Sequence, residues 1–194
     1  MLPEQIIYIG ILINVVLSLW YIKSIIWGNT KPNLVSWSIW MLAPFAGFFL
    51  QIKAGAGISA SGVFLAGFFP LLTVIVCLFR KNSYWKINSF DVLCGCLSIF
   101  TLVVYILTNN VGFSIIFAIL SDALAFIPTF VKSWKFPETE NSSTYIGGLT
   151  NNFLSLMILK NWTFSIYSFP LYLVLANIVE VSFVYRKKFL KSKS

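Results

Sequence analysis

Seven apolar runs, residues 6–27, 34–52, 60–79, 90–108, 111–134, 144–159 and 164–185, take up most of this chain. A helix needs roughly 20 apolar residues to cross the hydrocarbon core of a bilayer. The runs are about that long, apart from the sixth, which is short and interrupted by Thr150, Asn151 and Asn152. Between them lie short segments such as "GNTKPN" and "KFPETENSS", whose Gly, Pro and polar residues break helices. No segment between runs is long enough to form a soluble domain. The expected fold class is therefore an all-α membrane protein with seven transmembrane helices.

The composition agrees. Of the 194 residues 58% are apolar and 10% are charged, whereas soluble domains have roughly 45–50% and about 25%. So few charges could not cover the surface of a soluble protein. The net charge of +8 does not point to nucleic acid, because the basic residues sit at run ends and in the terminal "RKKFLKSKS". Membrane topology and anionic headgroups place them there.

These charges orient the chain. With the N-terminus outside, only Lys53 and Lys160 face outward. Lys23, Lys31, Arg80, Lys81, Lys86, Lys132, Lys135, Arg186, Lys187, Lys188, Lys191 and Lys193 then face the cytoplasm. Basic residues concentrate on the cytoplasmic side, so the C-terminus is expected inside, as an odd number of spans requires. Trp27, Trp85, Trp134 and Trp162 fall at run ends, where indoles favour headgroups. The start, "MLPEQIIYIG", lacks the basic n-region of a signal peptide, so the first run is expected to remain as a helix.

Several chemistries lack their residues. The chain has no histidine, hence no Ser–His pair, zinc triad or imidazole acid–base group. "GISASG" around Ser59 has the look of a hydrolase elbow without a base, and the last run carries no lysine for a retinal. Cys77, Cys94 and Cys96 lie within apolar runs and outline no disulfide framework. Neither an enzyme nor a metal or other cofactor is expected.

The two halves of the chain echo each other. Lys23 and Lys132 are 109 apart, Lys53 and Lys160 are 107 apart, and Arg80 and Arg186 are 106 apart; "LFRK" ends the third run and "VYRK" the seventh. A shift of 108 pairs Ser36-Trp37 with Thr144-Tyr145, Phe45 with Phe153, and Asn14 with Asp122. Identity between the halves is low, and biased composition also produces such matches. The layout that follows is a 3-1-3 arrangement of two parallel three-helix repeats. Residues 1–86 form the first repeat, 87–110 a linker helix, 111–188 the second repeat, and 189–194 a basic tail. Transporters with parallel repeats hold their substrate at the repeat interface near the bilayer midplane.

The stretch "FIPTFVKSWKFPETENSSTYIGG" resembles the PQ-loop signature: a proline pair late in a helix, an aliphatic-lysine run, a polar loop and a Ser/Thr-led helix. With the 3-1-3 layout and the basic cytoplasmic end, the chain resembles the PQ-loop/SWEET-like superfamily. That group includes sugar facilitators, amino-acid exporters, vitamin carriers and a sorting-signal receptor. Pro128 matches its proline, Thr129 stands where glutamine is usual, and the first repeat reads "WYIKS" without proline. Of the asparagine pair that sugar facilitators carry in their third helices, the resemblance finds Asn177, with Leu71 as its approximate mate.

Polar residues at membrane depth are the candidate site. Asp122 lies midway along the fifth run, where an ionised carboxylate costs about 2.5–3.5 kcal/mol or more, and so should face the bundle or a wet cavity. Thr129 is two turns further on the same face. Asn14, Asn152, Asn177 and Trp40 are candidate pocket residues, because a buried amide must find a partner. Glu180, near the cytoplasmic end of the seventh run, is a second coupling candidate with Asp122, and snorkelling towards water explains it as well. Pro44, Pro70, Pro128 and Pro170 interrupt helices and are candidate hinges.

The expected function is alternating-access transport of a small polar solute, such as a sugar, amino acid or vitamin-like molecule, with coupling to protons through Asp122 open. The alternative is a non-transporting receptor or accessory protein that binds a ligand or lipid. The expected partners are a small-molecule substrate and the lipid bilayer, not nucleic acid; a homo-oligomer stays open. Short loops and Lys-, Ile- and Asn-rich usage suit a multi-pass protein of a prokaryotic plasma (inner) membrane.

Overall fold

The computed structural model describes residues 3–80, 84–107 and 111–191. Among the basic residues counted above, Lys81 and Lys193 lie outside this set, as do the side chains of Lys187, Lys188 and Lys191 and the last part of the expected tail. The described residues form seven α-helices and no strand: α1 Ile6–Ile26, α2 Leu34–Lys53, α3 Ser61–Phe79, α4 Ser89–Leu107, α5 Val111–Lys135, α6 Ser143–Met157 and α7 Phe164–Lys191. Single 3-10 turns, Gly57–Ala60 and Pro137–Thr139, precede α3 and α6. Each helix coincides with one apolar run, except that α7 continues past residue 185 into the basic segment.

Local chemistry explains several boundaries. Asn33 precedes α2 in extended conformation, and its side-chain oxygen accepts from the amides of Val35 and Ser36, as an N-cap does. At α4, Asn88 and Asp91 exchange amide-to-side-chain bonds of 3.0 Å in both directions, a capping box. Gly28, with φ of 80°, supplies the left-handed residue after α1 that few side chains tolerate.

Five helical segments are long and apolar enough to cross a membrane: Ile6–Ile26, Leu34–Lys53, Gly57–Phe79, Gly112–Lys135 and Phe164–Arg186. Their burial pattern is inverted relative to a soluble protein. Helix α1 exposes Tyr8, Leu12, Val16 and Leu19 while burying Gly10, Asn14, Ser18 and Ser24. Water would penalise that arrangement; lipid favours it, because apolar side chains face hydrocarbon while polar ones find partners inside. The chain is an integral membrane protein. Trp27, Trp134 and Trp162 are exposed at helix ends, whereas Trp85 is half-buried and packs on Phe136 at 5.1 Å. All three cysteines are free.

Helix α6 has only 15 residues, and its short polar sequence suits its position in the bundle. It packs on α1 and α7 and touches α3, with Asn151 and Asn152 fully buried. Gly147 permits the contact with α1, since a Cβ there would meet the Asn14 Cα at 2.9 Å. The other major pairs are α2 with α3, α2 with α5, α4 with α5 and α5 with α7, and α1 touches α3.

Candidate functional site

A cavity opens where six of the helices converge. Asn14 and Ser18 come from α1, Trp37, Trp40 and Pro44 from α2, and Leu65, Ala66, Phe69 and Pro70 from α3. Asp122 and Phe126 come from α5, Thr144, Tyr145, Gly148 and Asn152 from α6, and Leu173 and Asn177 from α7. Helix α4 contributes no residue to this lining; it packs outside, on α5 and α2. The space open to the centre of a water molecule is about 60 Å³. A single water needs roughly 10–15 Å³ on that measure, so the cavity is the size of a few waters or one small solute.

The geometry brings together Asp122, Asn177, Asn152, Asn14 and Trp40, the five pocket candidates proposed at membrane depth other than Thr129. Asp122 is 1% exposed and accepts from the Tyr172 hydroxyl at 2.8 Å through Oδ2. Its Oδ1 is buried without a partner among the described residues. Trp40 donates its indole N–H towards the Asp122 backbone carbonyl at 3.4 Å, which joins α2 to α5. Asn14 accepts from Ser18, which also bonds Thr144 across to α6, both at 3.0 Å. Asn152 and Asn177 donate to the carbonyls one turn back, Gly148 and Leu173, at 2.8 and 2.7 Å.

Four lining groups have polar atoms without a protein partner among the described residues: Asp122 Oδ1, Asn152 Oδ1, the Trp37 indole nitrogen and the Tyr145 hydroxyl. Buried polar atoms are nearly always paired with protein or water. Four orphans around one void therefore describe a place that water or a polar ligand fills. Aromatic rings make up much of the remaining wall, with Trp40 against Phe126 at 4.2 Å and Trp37 against Trp40 at 5.4 Å.

Thr129 and Glu180 lie elsewhere. Thr129 is fully buried below the cavity and donates to Ser36 at 2.9 Å, so it links α5 to α2. Glu180 does not snorkel: it is 0% exposed, accepts from Ser133, and leaves Oε2 without a partner among the described residues. All four prolines lie inside helices. Pro44 and Pro70 line the cavity, while Pro128 and Pro170 are buried away from it. Leu71 is not on the lining. Phe69 is, and it is the residue that the 108 shift assigns to Asn177.

Sequence reasoning missed a polar knot at the end of the cavity beyond Trp37. Lys132 and Glu140 form an ion pair of 2.6 Å whose side chains are 1% and 0% exposed. Lys132 also donates to the Lys31 carbonyl, and Tyr21 donates to Glu140 at 2.7 Å. The Tyr21 ring stacks on Trp37 at 4.9 Å. Lys132 counts among the basic residues that orient the chain, and the sequence signal for a buried partner is the acidic residue in the loop eight positions on.

No protein-family model matches the chain, and no curated protein or solved structure is significantly similar to it.

Proposed function

We propose that the protein is a carrier for a small polar solute, built from two parallel three-helix repeats joined by α4, with the cavity as its alternating-access site. The observation that carries this reading is the symmetry of the lining. The shift of 108 takes Asn14 to Asp122, Ser18 to Phe126, Trp37 to Tyr145 and Trp40 to Gly148. It likewise takes Pro44 to Asn152, Leu65 to Leu173 and Phe69 to Asn177. Every second-half lining residue except Thr144 is thus the image of a first-half one. A chance echo in biased composition has no reason to select the same void from both sides.

The helix contacts support the same relation. Exchanging α1 with α5, α2 with α6 and α3 with α7 carries the α1–α6 contact onto α2–α5, α2–α3 onto α6–α7, and α1–α3 onto α5–α7. Lys31 donates its amide to the carbonyl of Thr139 at 3.0 Å, its own image under the shift. A residue that touches its image lies next to the relating axis. Carriers with parallel repeats rock one bundle against the other about a site on such an axis.

Within this reading Asp122, Asn177, Asn152, Asn14 and Trp40 bind the solute. Asp122 is the proton-coupling group in the cavity and Glu180 a second carboxylate towards the cytoplasm. The prolines are the hinges. The N-terminus is outside, the C-terminus is cytoplasmic, and the setting is a prokaryotic plasma membrane. The likeness to PQ-loop/SWEET-like carriers belongs to the same proposal. Counterflow in proteoliposomes tests it: the protein should exchange labelled solute, and Asp122→Asn should remove the response to a proton gradient. Stabilisation by a ligand without flux would replace the carrier with a receptor, and unchanged gradient response in Asp122→Asn would remove that residue's coupling role.

A further inference from the structure

Among the lining residues only Asp122 carries a formal charge. The Tyr172 hydroxyl occupies one of its oxygens, and the other is buried with no partner among the described residues. The nearest hydrogen-bonding neighbours in the cavity are mostly committed: Ser18 bonds Asn14 and Thr144, and Asn177 donates to Leu173. What remains open is two acceptors, Asp122 Oδ1 and Asn152 Oδ1, beside the Trp37 indole N–H and the Tyr145 hydroxyl.

A lone carboxylate beside aromatic faces is matched by the chemistry of a cation. We infer that the solute is a small organic cation, an ammonium or N-alkylated heteroaromatic ion, whose positive charge is held between Asp122 and the Trp37, Trp40 and Phe126 rings. Cations with weak hydration bind aromatic faces, more strongly once desolvated. When ionised, this buried carboxylate has no counter-charge from any lining residue. A sugar would leave the carboxylate without an opposite charge. The inference rests on the cavity being the ligand site and narrows the polar solute proposed above.

Thermal stabilisation of the purified full-length protein, read with pairs of equal shape and different charge, tests it. One pair is choline and its neutral isostere with carbon in place of the ammonium nitrogen; the other is ring-N-methylated nicotinamide and nicotinamide, with glucose as a neutral polyol. The cation of at least one pair should bind about tenfold or more tightly than its neutral twin, and Asp122→Asn should abolish that preference. Because the pairs are compared on the unaltered protein, the result stands even if a variant fails to fold. Equal binding within both pairs, preference for the neutral twins or for glucose, or no stabilisation by any cation overturns the inference. Cation binding without counterflow overturns the carrier and leaves the cation site. Counterflow of glucose but of no cation does the reverse.

Discussion

Pro170 leaves the carbonyl of Ile166 without its helical donor, and Gln51 of α2 replaces that donor with its side-chain amide at 3.1 Å. Gln51 is 1% exposed, so this bond forms away from water, where a missing partner has no substitute. Gln51 lies within the second apolar run and its partner is 115 positions away, so nothing local in the sequence points to this bond. Gln51→Leu keeps the volume and removes the donor. It should lower stability by about 1–3 kcal/mol, read from reversible unfolding in detergent–denaturant mixtures; an unchanged midpoint would mean that α7 satisfies the carbonyl in another way. Asp122 belongs to the same class of residue. Its depth was legible from its place in the run, but that one oxygen would be taken by Tyr172 and one left free depends on α7.

At the scale of elements, the bundle is held at one end by polar ties between loops and helices. Lys132 at the end of α5 meets Glu140 ahead of α6, the Lys31 carbonyl ahead of α2, and through Glu140 the Tyr21 hydroxyl of α1. Two stretches far apart in sequence, residues 21–31 and 132–140, thus converge on one buried charge pair. Removing one member of such a pair leaves the other charged and without a partner. Glu140→Gln should therefore destabilise by about 3–5 kcal/mol, and Lys132→Met combined with Glu140→Leu should recover most of the loss. A double variant no more stable than the single one, in the same unfolding assay, would show that the remaining bonds to Tyr21 and Lys31 matter more than the charge pair. The knot explains why a run of apolar residues ends on a lysine that solvent does not reach.

At the scale of the molecule, the exposed apolar surface and the enclosed polar interior define a body that lipid surrounds. The proposed orientation has a direct check, since Lys53, Lys160, Lys86 and Lys135 are all exposed at helix ends or loops. In a background with Cys77, Cys94 and Cys96 replaced by alanine, cysteine at 53 or 160 should react with an impermeant maleimide on intact cells. Cysteine at 86 or 135 should react only after permeabilisation. The opposite pattern would reverse the proposed orientation of the bundle. The repeat proposed above also belongs to this scale, since the match of lining positions under a shift of 108 involves α1, α2 and α3 on one side and α5, α6 and α7 on the other.

The number and order of the helices, and their limits apart from the end of α7, were determined by the sequence alone, because apolar length and helix-breaking loops act locally and lipid leaves the backbone few alternatives. The depth of Asp122, Asn14, Asn152 and Asn177 follows from the same one-dimensional measure. Which face of a helix meets which neighbour does not. In a helix apolar on nearly every side, hydrophobic periodicity carries little information about the inward direction, and close packing at residues such as Gly147 makes that choice. Tertiary structure therefore decided that Thr129 ties two helices instead of lining the void, that Glu180 is enclosed, and that Lys132 is paired. Each outcome depends on a partner that enters from another helix or loop, and packing alone selects it.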